Sequence, residues 1–280
     1  MIRIVADSTC DLPGEIVDQH NIKIIPLYIN FGDKGYLDGV DISRRDFYER
    51  MKDTSPLPTT ATPGVDMFRQ SYDQMAEEGA SQVLSIHVSV SLSATVDVAR
   101  TAAEQTTSLP VTVYDSRQLS LGMGYIVLAA AQAAAEDKTM EEVIDILDEL
   151  NTRTHVFAAL ETLDYLQRSG RMNSVVASLG NILSIKPILK MYEGHPTGER
   201  VRTYDRAINR LLELVEEVSP LERLDLVHTN APSKAEQLHK RSLALFPADK
   251  EPLSVDVTPA LGANIGPGVV GFSCISAQQE

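Results

Sequence analysis

The run IRIVADSTCDLP at 2–13 decides the fold. Its first five residues, IRIVA, form a near-continuous apolar stretch, the pattern of a strand covered on both faces, as parallel strands are. The stretch then enters a polar loop, Asp7-Ser8-Thr9-Cys10-Asp11. Similar apolar runs recur as IKIIPLYINF at 22–31, QVLSIHV at 82–88 and VTVYD at 111–115, each predicted to be a parallel strand. Helical spacing fills the gaps. Between Pro63 and Glu78, the residues Val65, Phe68, Tyr72, Met75 and Ala76 share one stripe, with Pro63 suited to the first turn. Thr139 and Glu142 make a capping box ahead of Val143, Leu147 and Leu150. Strand–helix alternation of this kind predicts a layered α/β domain over residues 1–152.

After about residue 152 the rhythm changes. HVFAALE at 155–161 reads as a strand. IKPILKMY at 185–192, the turn EGHPTGE at 193–199 and RVRTY at 200–204 read as an antiparallel hairpin. A helix carrying Ala207, Leu211, Leu214, Val215 and Val218 follows. LDLVHT at 224–229, a helix to about Leu245, LSVDV at 253–257 and VVGFSCI at 269–275 complete the pattern. These elements predict a second α/β domain over 153–280 with a mixed sheet. A chain of 280 residues, 43% of them apolar, can bury two modest cores.

Composition excludes several classes of function. A formal charge of −14 opposes nucleic-acid binding and repels anionic membrane surfaces. One segment runs the other way: residues 168–210 hold eight Lys or Arg against three Asp or Glu, a net +5 that leaves −19 elsewhere. It reads either as a solvated basic face or as a docking patch for an acidic partner or phosphates. Cys10 and Cys274 make no disulfide framework, which, with no signal-peptide pattern at the start, points to a reducing cytoplasm. No apolar run has membrane-spanning length. The six histidines are scattered, so no metal site and no cofactor is expected. Gly266-Pro267-Gly268-Val269-Val270-Gly271 spells G-x-G-x-x-G, but it runs into a strand rather than a helix and reads as a tight turn with close backbone approach.

Three hydroxyl-rich loops carry the candidate chemistry. Ala6–Asp11 follows the first strand, Pro58–Thr62 precedes the helix at Pro63, and Ser89–Thr95 follows the strand at 82–88. Ligands of open α/β sheets sit beyond the carboxyl ends of strands, and hydroxyls beside free helix-start amides suit an anion. One such loop is ordinary capping; three together favour a small anionic group.

At these loops the sequence resembles the DegV family, the fatty-acid-binding subunits of bacterial fatty acid kinase. ADSTCDLP at 6–13 resembles D-S-T-x-D-L-P, TTATP at 59–63 stands in the place of T-S-Q-P-S, and LSAT at 92–95 in that of L-S-G-T. YDSRQLSLGMG at 114–124, TLDYLQRSGRM at 162–172, GNILSIKPIL at 180–189 and GPGVVG at 266–271 complete an ordered set. The resemblance implies two α/β domains with a lipid tunnel between them. It implies a long-chain fatty acid whose carboxylate is held by Thr59 and Ser93, with Asn264 at the head group and Thr60, Ala94 and Gly266 supporting the loops. It places Arg171 and Arg202 toward a partner, the fatty acid kinase catalytic subunit. It further implies a monomeric binding protein rather than an enzyme, able to touch a membrane transiently.

The sequence departs from the family pattern in places. In this register Ala61 replaces Gln, Thr62 replaces Pro and Ala94 replaces Gly. Asn264 stands where family members often carry His, and an amide donates a hydrogen bond without becoming positive. Two other readings stay open: a small hydrolase or transferase using the Asp7/Ser8/Cys10 loop, and a carrier of another amphipathic acid.

Overall fold

The computed structural model describes residues 1–171 and 185–278. GNILS at 180–184 and Met172, at the end of the 162–172 motif, lie outside the described residues.

Four strands form the first sheet: β1 (Ile2–Asp7), β2 (Lys23–Ile25), β6 (Gln82–His87) and β7 (Val111–Asp115), in the order β2-β1-β6-β7 and all parallel. The apolar runs read as strands because each face meets a helical layer. Val5, Ile25 and Val83 face α3 (Val65–Glu77) and α4 (Thr95–Gln105), packing on Phe68, Tyr72, Met75, Ala99 and Ala102. Ile4, Ala6, Leu84 and Ile86 face the other way, toward α5 (Ser120–Ala135) and α6 (Met140–Asn151). The capping box of Thr139 and Glu142 starts α6 as its sequence predicts, with both reciprocal bonds made.

One predicted strand is two. IKIIPLYINF breaks at Pro26, which cannot donate to a ladder. Only β2 joins the parallel sheet. The chain then enters a separate antiparallel sheet of β3 (Tyr28–Phe31), β4 (Lys34–Leu37) and β5 (Thr59–Ala61), in the order β4-β3-β5. This small sheet packs with α2 (Arg44–Met51) around Ile29, Phe47 and Tyr48.

The second large sheet is mixed, in the order β10-β9-β8-β13-β11-β12. Its strands are β8 (Thr154–Ala159), β9 (Lys186–Tyr192), β10 (His195–Val201), β11 (Leu221–His228), β12 (Ser254–Asp256) and β13 (Val270–Ser276). The hairpin turn is tighter than predicted: only Glu193 and Gly194, both at positive φ, separate β9 from β10, so most of EGHPTGE is strand. RVRTY ends β10 and then turns into α8 (Tyr204–Glu217), because the Thr203 side chain caps that helix. α8 and α9 (Pro232–Ser242) cover one face, over Phe157, Ile188, Phe272 and Cys274. α7 (Asp164–Arg168) and α10 (Pro259–Ile265) pack together near β5.

Between the two large sheets lies α5. Twelve of its sixteen residues are buried, and it packs on β1 on one side and on β8, β11 and β13 on the other. A helix apolar all round must be buried all round. Its glycines permit the approach. A Cβ on Gly124 would lie 2.6 Å from the Cys10 carbonyl oxygen, and one on Gly122 would lie 2.7 Å from Val156 Cγ2. Gly271 meets Phe157 in the same way, with a Cβ 2.0 Å from the carbonyl oxygen, so the G-x-G-x-x-G spelling is a tight turn and a close backbone contact.

Alanine at Gly124 would gain about 1 kcal/mol in helix propensity. Overpacking against backbone costs about 1–3 kcal/mol or more and should win. Gly124→Ala is therefore expected to lower the denaturant midpoint, whereas Gly14→Ala, with nothing within 4 Å, should not.

Candidate functional site

β1 ends at Asp7, whose buried carboxylate organises the loop that follows. Oδ1 accepts the Thr9 N–H at 2.9 Å and the Thr9 hydroxyl at 2.5 Å; Oδ2 accepts the Val88 N–H at 2.9 Å and faces His87 Nδ1 at 3.1 Å. Burial alone would raise the Asp7 pKa. The bond and charge of His87, helped by Thr9 and Val88, outweigh burial and hold the carboxyl below its usual range. On its other side, His87 Nε2 lies 2.7 Å from the Ser85 hydroxyl, which in turn lies 2.8 Å from that of Tyr72. Ser85, His87 and Asp7 show a hydrolase-like order of groups, yet all three are fully buried. The rest of the loop is equally committed. Ser8 donates to Asp38 at 2.8 Å and accepts the Leu27 N–H at 3.2 Å. The Cys10 thiol is buried, and burial, with Asp7 and Asp11 nearby, pushes its pKa up to about 12. A thiol held protonated is no nucleophile at neutral pH.

Beyond these strand ends is a cavity of about 340 Å³. The first sheet and its loops contribute Thr9, Val88, Leu92, Ser93, Ala94 and Leu119. The second sheet turns Val156, Ala158, Leu189 and Met191 toward it, the face opposite the one covered by α8. The small sheet and α10 close a third side with Leu27, Ala61, Ala260, Leu261 and Ile265. Most of the wall is hydrocarbon. Thr9 belongs to that wall although it is polar, because its hydroxyl is taken up by Asp7.

The polar groups of the wall include Thr60, Thr62, Ser93, Asn264 and Arg171. Arg171 Nη2 reaches the Thr60 hydroxyl at 3.4 Å, and its Nη1 donates to the Ser169 carbonyl at 3.1 Å. Among the described residues no carboxylate pairs with it. Burial lowers its pKa, the signature of a guanidinium short of compensating charge. The Ser93 hydroxyl lies 2.8 Å from that of Thr95. Asn264 donates one amide hydrogen to the Ala260 carbonyl at 2.8 Å and retains a second. A half-buried cation beside hydroxyls, at one part of an apolar hollow, suits the acid end of an amphipathic molecule.

The profile of the DegV family, described as an uncharacterised protein family, matches residues 1–277. The chain belongs to the DegV family. A DegV domain-containing protein of Listeria innocua is 32% identical over 276 residues, covering 97% of both chains. The crystal structure of DegV from Bacillus subtilis, described as a fatty acid binding protein, superposes with a TM-score of 0.89 at 29% identity, over 98% of this chain and 99% of that one. A DegV family protein from Thermus thermophilus, described for its fatty acid binding, gives 0.89 at 30% identity over 99% of each chain.

Several expected site residues come together and others do not. Ser93, Ala94, Thr60, Asn264 and Arg171 share the cavity wall. Thr59 does not: it is exposed, on the far side of β5 from its neighbour Thr60. Setting the proline of the family's T-S-Q-P-S on Pro63, just ahead of the α3 cap Gly64, moves the threonine to Thr60. The Gln and Pro replacements at Ala61 and Thr62 then disappear as such: Ala61 stands for Ser and Thr62 for Gln. Pro63, visible in the sequence, was the available signal. Ala94 at φ −79° needs no glycine, so that departure from L-S-G-T costs nothing. Gly266 lies off the wall and serves the turn, at φ +79° where a Cβ would meet the Tyr165 ring at 2.3 Å. Arg202 is exposed and outside the cavity wall. Much of the basic segment is neutralised in place: Lys190 pairs with Glu199 at 2.8 Å, Lys186 with Glu161, and Arg210 with Glu199 at 2.7 Å. Among the described residues no group of three or more His, Cys, Asp or Glu is placed to hold a metal, and no helix is long and apolar enough to cross a membrane.

Two outcomes follow from the loop chemistry. Asp7, with its folded pKa depressed, contributes stability above the ordinary carboxylate range and loses it as pH falls through the lower folded value. Asp7→Asn should thus cost about 1–3 kcal/mol at pH 7, with the gap narrowing in urea unfolding below about pH 4. Cys10 and Cys274, both buried, should resist a thiol reagent at pH 8 in the native protein and react on unfolding; rapid labelling of folded Cys10 would contradict the geometry.

Proposed function

We propose that this DegV family protein binds a long-chain fatty acid in the cavity and presents its carboxylate to a partner kinase. The observation that carries the reading is Arg171, a cation with no carboxylate partner among the described residues, set beside Thr60 on a mostly hydrocarbon wall. A sixteen-carbon chain has about 14 methylenes, worth roughly 11 kcal/mol of transfer free energy before association costs. Apolar wall therefore dominates affinity. The head group needs donors because a buried carboxylate without them is prohibitive. Thr60, Ser93 and Arg171 supply them, with the free amide hydrogen of Asn264 as a further donor. The fatty-acid-binding descriptions of the solved relatives support the ligand class.

The kinase step rests on the family resemblance. A carboxylate oxygen of the bound acid attacks the γ-phosphorus of ATP held by the partner, the bond from that phosphorus to the β-phosphate bridge oxygen breaks, and acyl phosphate and ADP result. This chain contributes position, not proton transfer, since the carboxylate is already ionised. Exposed Arg202 is the candidate contact for the partner's acidic or phosphate groups.

Titration with C16 and C18 acids, or displacement of a fluorescent fatty acid, tests the ligand. Arg171→Ala should weaken binding about 10- to 100-fold, the range for losing a charge-assisted bond. Thr60→Ala with Ser93→Ala should weaken it as well, and Thr59→Ala should leave it alone. Failure of any long-chain acid to bind, or to copurify in native mass spectrometry, would sink the reading. Consumption of ATP by this protein without added kinase would sink the presenting role.

A further inference from the structure

α10 brings two glycines one turn apart, Gly262 within it and Gly266 just past its end, and both rest on tyrosine rings. A Cβ on Gly262 would lie 2.8 Å from Tyr48 Cζ, and one on Gly266 would lie 2.9 Å from Tyr165 Cγ. Residues four apart share a helix face, and Asn264, midway between the glycines, lies on the cavity wall instead. A seven-residue helix cannot hold its own place in water, so what it rests on sets its position. Tyr48, on α2, donates to the Val257 carbonyl at 3.1 Å and so fixes the approach to α10. Gly266 is fixed as well through its carbonyl, which accepts the hydroxyl of buried Thr229 at 2.8 Å. The end of α10 is thus held by Thr229 and by the Tyr165 ring.

Tyr165 belongs to α7, the element that leads to the cation of the cavity wall. Its carbonyl accepts the Ser169 N–H at 2.9 Å, and the Ser169 carbonyl accepts Arg171 Nη1 at 3.1 Å. Arg171 Nη2 then reaches the Thr60 hydroxyl at 3.4 Å. The Tyr165 ring packs against the core around Ile29, Tyr48, Ala260 and Ala263, while its hydroxyl makes no hydrogen bond among the described residues. One ring thus joins the element ahead of Arg171 to the element bearing Asn264. Hydrogen bonds weaken steeply when misaligned, so two donors serve one carboxylate only if the elements carrying them are fixed relative to each other.

We propose that Tyr165 is a positioning residue: pressed on Gly266, its ring sets Asn264 relative to Arg171, so that both donate to one acid group. The inference rests on the acyl-binding reading of the cavity. Asn264 gives one amide hydrogen to the Ala260 carbonyl and has a second for the ligand. Arg171, with no carboxylate partner among the described residues, has charge for it. Tyr165 itself does not line the cavity. Loss of its ring therefore acts on the acid group through the two donors and spares the hydrocarbon contacts.

Titration of the delipidated full chain with palmitic acid and with hexadecanol separates positioning from wall support, since the alcohol keeps the chain and lacks the charge. Tyr165→Leu should weaken the acid about tenfold and the alcohol less than about twofold, and Tyr165→Phe should match wild type for both. Equal losses for acid and alcohol, or no loss for the acid, overturn the proposal. With Arg171 already replaced by Ala, Tyr165→Leu should cost the acid less than about threefold more; a further loss of about tenfold overturns it. Should Tyr165→Leu fail to fold, Tyr165→Met takes its place with the same expectations. A measurement without lipid keeps the two readings apart. Nitrogen relaxation at Arg171 Nε should report a more mobile guanidinium in Tyr165→Leu and an unchanged one in Tyr165→Phe. That result with no acid bound by the wild type refutes the acyl reading alone; acid binding with an unaltered guanidinium refutes the positioning alone.

Discussion

The burial of α5 on all sides is the constraint on which the rest of the structure depends. A surface helix needs one apolar stripe, but this one meets the parallel sheet on one side and the mixed sheet on the other. Two sheets can share one helix only if backbone approaches backbone. Gly124 and Gly122 supply that closeness, against the Cys10 carbonyl and Val156. The separation of the sheets is thereby fixed near the start of α5, and Leu119, just before the helix, already lies on the cavity wall. The cavity lies next to that helix start, lined by residues of both large sheets.

Closing that space falls to the weakest elements of the fold. β5 has three residues and α10 seven, and neither is stable alone. They are held by polar bonds between distant parts of the chain: Ser8 to Asp38, Asp11 to Thr258, Tyr48 to the Val257 carbonyl. A wall built from short elements on a rigid frame concentrates local opening at the cavity. The fully buried Asp7 network belongs to the frame instead, since it ties the ends of β1 and β6 together.

The large elements were legible because their burial is two-sided and their apolar runs unbroken. Val5 and Ile4 face opposite helical layers, and nothing polar interrupts IRIVA. The small sheet was hidden inside IKIIPLYINF, where Pro26 was a visible stop that hydrophobicity masked. EGHPTGE looked like a turn from its Gly and Pro content, yet β10 is an edge strand, where proline is tolerated. At the site, the family resemblance gave Ser93, but it turned Arg171 toward a partner where the structure sets it on the cavity wall, and the register of β5 decides which threonine points inward. Period 2 makes a one-residue error a complete reversal of face, and so Thr60 lines the cavity while Thr59 does not. The bond that holds the start of α10 had no local signature, because Asp11 and Thr258 are 247 residues apart.

The placement of Arg171 changes the electrostatics expected from the loops alone. Hydroxyls of threonine and serine would hold an acid group with neutral donors; a guanidinium adds charge compensation and two-pronged geometry. With hydrocarbon burial already worth roughly 11 kcal/mol for a sixteen-carbon chain, affinity does not require that ion pair. Orientation does. An acyl chain slides freely along an apolar wall, because one methylene resembles the next, and only a fixed charge distinguishes the two ends of the cavity. A cation at one place therefore gives an apolar hollow a single direction, which hydrocarbon contact alone does not supply.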